Sequence, residues 1–307
     1  TAEERGYWAF QKIQRPELPP LSRVLQAENG IDHFIGAKLA ANDLTFSPRS
    51  AKSTLLRRAT LDLTGLPPTQ AALREFTSSM NPTAYEELVD QLLASASYGE
   101  RWGRHWLDAA GYADSEGYTD ADAQRPWAFK YRDYVIASFN NDKPYNQFVL
   151  EQLAGDEMIG KPLKNLTQQQ QELIVATGFL RNAPDGTGSG AATEAARNAV
   201  VSETIKLVTS SLVGLTVGCA QCHNHRYDPI SQADYYRLRA VFEPALNWKA
   251  WKTPAQRQVS LYTEADRQRK AEVEAEVKMV AAQRTKKQLA YIAATFEKEI
   301  AKLPSEV

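Results

Sequence analysis

Residues 214–230 read Gly214-Leu215-Thr216-Val217-Gly218-Cys219-Ala220-Gln221-Cys222-His223-Asn224-His225-Arg226-Tyr227-Asp228-Pro229-Ile230, a stretch that holds both cysteines of the 307-residue chain. Its centre, Cys219-Ala220-Gln221-Cys222-His223, has the Cys-x-x-Cys-His spacing of a c-type haem attachment signature. Thiols three residues apart can reach the two vinyl groups on one porphyrin edge, and the adjacent imidazole then swings under the iron. The expectation is one covalent haem c on Cys219 and Cys222, with His223 as an axial iron ligand.

With only two cysteines, a disulfide-rich scaffold and a four-cysteine zinc site within one chain are excluded. A thioredoxin-like pair needs a strand–turn–helix setting, for which the sequence shows no pattern. A zinc site from Cys219, Cys222 and two histidines such as His223 and His225 is conceivable and stays as an alternative.

Outward from the motif the chain reads as helix. A helix is expected from about residue 192 to 215 before it, and another at Gln232–Phe242 after it. Further upstream, helices are expected at Trp127–Phe139, Asn146–Leu153 and Gln168–Leu180, the last capped by Thr167. In the segment Tyr98–Ala113, Trp102, His105, Trp106 and Ala109 recur at helical spacing, which predicts a buried stripe that includes His105. Ile31, Phe34, Ile35 and Leu39 share one helical face, and Pro48 opens a helix carrying Leu55, Leu56 and Ala59. That helix ends at the Thr64–Pro68 turn, and Thr69 caps the next one. Thr83 with Glu86 predicts a capping box. From Thr263 to Lys302 the composition turns to Glu, Lys, Gln and Ala with sparse apolar positions (Val273, Val277, Val280, Ile292, Phe296, Ile300), the pattern of long exposed helices. No run of strands and no repeat is seen, so the fold class is mainly α. The organisation expected is an extended, proline-rich arm over 1–30 laid on a core, a helical haem-c domain over 31–250, and a charged helical extension over 251–307 leading to another domain.

Lys plus Arg (36) nearly cancel Asp plus Glu (37), so no basic footprint for nucleic acid or an anionic membrane is present. No apolar run reaches the roughly 18 residues of a spanning helix. Thr1–Gly6 is charged and is not a secretory leader, so the chain is expected to be a trimmed piece of something longer.

Several blocks resemble one family. The stretch 214–230 is similar to the haem-motif block of the planctomycete-type secreted cytochrome domain. So are Leu63–Pro68 (LTGLPP), Tyr98–Trp102 (YGERW), Arg104–Asp108 (RHWLD), Tyr131–Ile136 (YRDYVI) and Glu151–Asp156 (EQLAGD). The resemblance runs in order over Tyr7–Pro244. It implies a module of a large secreted protein with further domains on either side, and leaves the substrate unnamed. Where members of that family often carry Arg, this chain has Gly111, so any contact such an arginine makes to a propionate or substrate is absent.

The sixth iron position has candidates in His33, His105, His225, Met80, Met158 and Met279, or no protein ligand at all; His105 leads on its expected burial. His225, two residues from His223, is read as a propionate partner or a support for the ligand, and Arg226 and Tyr227 as propionate or packing partners. His105 and Asp114 are read as a proton-handling pair beside the haem, should the helix end turn inward. Asp114, Glu116, Asp120 and Asp122 are read as a solvated acidic loop rather than a calcium cradle, since they lack the EF-hand order. Pro184–Ala191 reads as a mobile flap or a linker, not a phosphate loop. The functions these residues point to are electron transfer within a larger secreted or periplasmic assembly, with partners being other domains of the same polypeptide or redox proteins. The alternatives are a haem oxidoreductase with an open iron site acting on an extracellular substrate, carbohydrate among the options, and a haem that staples an interaction module.

Overall fold

Helices Ala96–Ala109 and Ala128–Asn140 pack backbone to backbone across a glycine. A methyl group on Gly99 would lie 2.5 Å from the Ile136 carbonyl oxygen and 2.5 Å from Asn140 Oδ1. The space is used instead by a clamp: Gly99 N donates to Asn140 Oδ1 at 2.8 Å, and Asn140 Nδ2 donates to the Ala96 carbonyl at 3.2 Å. Gly103, one turn on, sits 3.4 Å from Ile136 by the same measure.

The computed structural model describes residues 2–20, 27–117, 122–160, 162–188 and 193–302. In chain order the helices are α1 (Ala2–Arg5), α2 (Gly30–Ala40), α3 (Lys52–Thr64), α4 (Gln70–Ser78), α5 (Ala84–Leu93), α6 (Ala96–Ala109), α7 (Ala128–Asn140) and α8 (Tyr145–Ile159). They continue as α9 (Gln168–Ala176), α10 (Glu194–Val213), α11 (Gln232–Ala245) and α12 (Glu264–Ile300). Among the described residues the only extended pairing is an isolated bridge between Ser115 and Gln124. The fold is mainly α, as the periodicity predicts.

The core gathers Leu107 and Ala110 from the end of α6, Tyr131, Tyr134 and Val135 from α7, and Phe148 from α8. Phe179 from a 3-10 turn, Val201, Ile205 and Val208 from α10, and Tyr235 and Phe242 from α11 complete it. Each large apolar side chain taken out of water here contributes about 1.5–3 kcal/mol before entropy is charged against it. Its polar atoms are matched. Trp106 Nε1 donates to Tyr131 Oη (3.0 Å) and Gln152 Oε1 (3.1 Å), while Tyr131 Oη donates to the same Gln152 oxygen at 2.6 Å. Beside them the buried Glu151 carboxylate accepts from Tyr134 Oη (2.8 Å), Lys143 Nζ (2.5 Å) and Gln147 Nε2 (2.8 Å). Helices α3, α4 and α5 form a flank that meets the core through α3 and α6.

Capping reads as the sequence predicts at Thr69, whose side chain accepts from Ala72 N, and at Thr167, paired with Gln170 in a capping box. The box expected at Thr83 and Glu86 does not form. Thr83 Oγ1 instead donates to Asn81 Oδ1 and Glu87 Oε1, both at 2.8 Å, because the turn at Asn81 already satisfies its hydroxyl. The stripe expected on α6 is also rotated. Gly99, Gly103 and Leu107 are the buried positions, Trp106 is half-buried, and His105 and Ala109 are exposed. The reason is the glycine contact: the smallest residues set the line of closest approach, and the aromatic line is pushed to its edge.

The arm is not laid on a core. Its described residues 3–18 are exposed, with Ile13 at 96%, and its contact with α2 runs through the Pro19 carbonyl, 3.0 Å from His33 Nδ1; residues 1 and 21–26 lie outside the described residues. On α2 itself Ile31, Phe34 and Ile35 share a face but remain exposed. At the other end α12 runs for 37 residues without burying one of them.

Two outcomes are expected. Gly99→Ala should lower stability by about 1–3 kcal/mol through overpacking, seen as a lower urea midpoint at unchanged slope. Glu151 is the second case: burial pushes its carboxyl up, but the hydrogen bonds from Lys143, Tyr134 and Gln147 outweigh this and hold it below the ordinary range. Its contribution is therefore complete above the unfolded value and lost as pH falls through the lower folded one. Stability of Glu151→Gln should fall less steeply between about pH 5 and pH 3 than that of the wild type.

Candidate cofactor-attachment site

Helix α10 ends at Gly214, whose φ of 66° is left-handed and lets the chain reverse. It re-enters as a 3-10 turn, Val217–Gln221, packed on α10 and α11. Val217 (7% exposed) and Ala220 (0%) point into the core. Cys219, between them, and Cys222 and His223, after them, are exposed, and both thiols are free. Alternation within a short turn thus places the three chemically active side chains outside while their neighbours anchor the backbone. Helix α11 holds the end of the turn: Gln232 Nε2 (3.1 Å) and Tyr236 Oη (3.3 Å) both donate to the Gln221 carbonyl, and Asn224 Oδ1 accepts from Gln232 N at 2.9 Å.

The two histidines of the motif take opposite tautomers. His223 Nδ1 lies 2.7 Å from the Asn224 carbonyl oxygen, which can only accept, so Nδ1 carries the proton and the neutral ring keeps its lone pair on Nε2. His225 Nδ1 accepts from Asp228 N at 2.9 Å and Tyr227 N at 3.3 Å, so its proton sits on Nε2 and is donated to Thr216 Oγ1 at 2.9 Å. Its side chain is 6% exposed, with Asp228 Oδ2 3.3 Å from Nδ1. The loop closes on itself where His225 N donates to the Ile230 carbonyl at 2.8 Å. His223 therefore presents a free nitrogen to solvent, whereas His225 spends both ring nitrogens tying the loop to Thr216. Arg226 lies over the Tyr227 ring at 5.6 Å, and Tyr227 is 78% exposed.

The residues present fit a covalent haem in two respects: both thiols are reachable, and His223 is held by its Nδ1–H in the tautomer a metal-ligating imidazole adopts. A zinc site that uses His225 would first have to break the bonds of both its ring nitrogens. Among the described residues no group of three or more His, Cys, Asp or Glu side chains stands ready to hold a metal ion.

The other candidates are dispersed. His105 is exposed on α6, its ring 5.4 Å from that of Trp102, and α6 packs chiefly on α3, α7 and α10 rather than on the motif turn. No hydrogen bond or ion pair joins it to Asp114 among the described residues. Asp114 is exposed and accepts from Tyr112 Oη at 2.6 Å; burial first, and this carboxylate second, push the Tyr112 hydroxyl up to about 12. Asp114 also lines an open cleft of about 380 Å³ with Ser115, Asp122, Gln124, Arg125 and Phe129. Met80, Met158 and Met279 are exposed at 94%, 49% and 61%. In the acidic loop Glu116 is committed to Arg125 Nη2 at 2.7 Å and Asp122 to Gly117 N at 2.9 Å, while Asp120 lies outside the described residues. The described part of the glycine-rich loop is no free flap: Asp185 and Thr187 are buried, and 189–191 lie outside the described residues. Gly111 has φ of 61°, and a Cβ there would meet Leu207 Cδ1 at 2.6 Å, so this backbone favours glycine.

Sequence reasoning did not find Thr216, Asn224, Gln232 or Tyr236, which shape the turn; none belongs to the attachment signature, and their roles depend on the direction of single carbonyls. A protein-family model, PSCyt2, described as a protein of unknown function (DUF1549), matches residues 30–246. No curated protein and no solved structure matches the chain.

The tautomers are open to measurement. Long-range nitrogen–proton correlation spectra of the haem-free chain should show His223 protonated at Nδ1 and His225 at Nε2. Thr216→Val should remove the partner of His225 Nε2 and cost about 1–3 kcal/mol, with His223 unchanged.

Proposed function

We propose that this chain, which belongs to the PSCyt2 family, carries one haem bound through Cys219 and Cys222 with His223 as iron ligand, and passes electrons as a module of a larger assembly. The observation that carries this reading is the placing of two free thiols and an uncommitted imidazole nitrogen on the outer side of one short turn. A haem held there supplies one-electron exchange between ferric and ferrous iron. Val217 and Ala220 fix the backbone beneath it, and the Asn224 carbonyl holds the His223 proton at Nδ1. His225 locks the loop from Thr216 to Ile230, so that His223 keeps its direction. Arg226, next to the motif and exposed, would offer a cation to a propionate carboxylate. Because thioether attachment takes place outside the cytoplasmic membrane, the reading carries a periplasmic or secreted location with it. Among the described residues no helix is long and apolar enough to cross a membrane. The resemblance of residues 214–230 to planctomycete-type secreted cytochromes supports the same reading.

A second reading, a haem oxidoreductase with an open iron site, is favoured by one observation. Both nitrogens of His225 are spent within the loop, and His105 sits on a helix packed elsewhere, so neither histidine stands ready as a sixth ligand.

Absorption spectra of protein made in a maturation-competent host test both. The expected result is a c-type spectrum on dithionite reduction and one haem per chain that survives denaturation, with covalent haem lost in Cys219→Ser, Cys222→Ser double-substituted protein. Absence of haem bands in the wild type overturns the proposal. Added carbon monoxide should leave the reduced spectrum of an electron carrier unmoved, and a shift selects the second reading.

A further inference from the structure

Helix α12 holds large apolar side chains in water along one line of its far half. Leu289, Ile292, Phe296 and Ile300 follow i, i+3, i+7, i+11 spacing, which at 3.6 residues per turn keeps them within about 80° of one another around the helix. Leu289 and Ile300 are each 61% exposed, Phe296 64% and Ile292 41%. No described residue of the helix is buried. A contiguous apolar stripe left open on a long charged helix marks a surface that meets a partner.

The charges beside the stripe select that partner. Arg284 and Lys286 stand at its near end, and Glu297 and Glu299 at its far end. Around the helix, Lys286 and Glu297 lie on one flank of the stripe, and Arg284 and Glu299 on the other. Along the helix the opposite charges of each flank are about 16 and 22 Å apart, too far to pair within one chain. Among the described residues the side chains of Arg284, Lys286 and Glu297 make no ion pair, and Glu299 pairs with Lys302 Nζ at 2.6 Å on the open surface. A surface that covers the stripe has to present the reverse order, acidic at the near end and basic at the far end. The same helix running the other way does this, whereas a parallel copy would set like charge beside like.

We propose that the far half of α12 is a self-association surface, on which two copies of this chain pair antiparallel about Ile292 as a short coiled coil. In that register Leu289 meets the partner's Ile292, and Phe296 meets the partner's Thr285. Lys286 then comes within about 3 Å of rise of the partner's Glu297, and Arg284 within the same distance of the partner's Glu299. The two-fold axis repeats each match, so both flanks are paired twice. Leu289 lies about 39 Å along the rod from Thr263, which leaves the helical cores clear of each other. About five turns of helix a side make a small interface, so the dimer is weak and reversible. The surface is separate from the cysteine turn and does not depend on haem.

The test is sedimentation equilibrium of the 307-residue chain, with reductant present so that Cys219 and Cys222 cannot link chains, up to about 1 mM protein. The mass should rise reversibly from monomer toward dimer with concentration. Ile292→Glu sets carboxylates at the centre of the pairing and should raise the dissociation constant about tenfold or more. The thermal midpoint of the core should not move, because no core residue is touched. Lys286→Glu should weaken the dimer about tenfold, and Glu297→Lys added to it should restore the wild-type constant, a rescue open only to antiparallel copies. A chain that stays monomeric throughout leaves the stripe to some other partner and overturns the proposal. A dimer indifferent to Ile292→Glu, or a loss in Lys286→Glu that Glu297→Lys does not repair, overturns it as well.

Discussion

The approach of α6 to α7 at Gly99 is the constraint from which the rest of the arrangement follows. Once the two backbones meet there and Asn140 bridges them, the C-terminal half of α6 has to direct Leu107 and Ala110 into the space between α7, α8 and α10. Trp106 then lies where its indole N–H reaches Tyr131 and Gln152, which turns a potential buried polar defect into a matched network. Helix α10 closes the same core, and its end at Gly214 determines where the cysteine turn begins. The position of the candidate site is thus inherited from packing, even though none of its active side chains takes part in that packing.

At the site itself the division of labour is between neighbours. Val217 and Ala220 secure the turn, and Cys219, Cys222 and His223 stay free. The same division separates the histidines: a carbonyl opposite one ring and backbone N–H groups opposite the other give two residues of one type, two positions apart, opposite proton placements. Their different roles come from the backbone around them rather than from their own chemistry.

Much of the fold was legible in the sequence because helix boundaries rest on local rules. Thr69 and Thr167 cap where the pattern says they should, and the Glu- and Lys-rich stretch after Thr263 is an exposed helix. The phase of α6 was not legible. Hydrophobic periodicity counts side chains, and glycine has none, so the residues in closest contact are invisible to it and His105 is assigned to the wrong face. Thr83 misleads for a similar reason, since a competing acceptor at Asn81 depends on a turn that the spacing of Thr83 and Glu86 does not encode. Cys219, Cys222 and His223 are candidates by their spacing, and their common exposure on one short turn is what the structure adds. The tautomers were not legible, because they depend on which way single backbone groups point. Nor were the Arg125–Glu116 and Arg257–Asp185 pairs, because their partners lie 9 and 72 residues apart, separations that no helical or strand period marks.

Helix α12 carries a mechanical consequence. At 1.5 Å per residue its 37 residues make a rod of about 55 Å. Since none of its described residues is buried, a change of direction at its capped start, Thr263, would act on it as on a lever hinged there. A tilt of only about ten degrees at that hinge sweeps the far end through about 10 Å, given the rod length. Whatever the tip meets is held at arm's length from the helical core, and small rearrangements around Thr263 are magnified into large changes of reach.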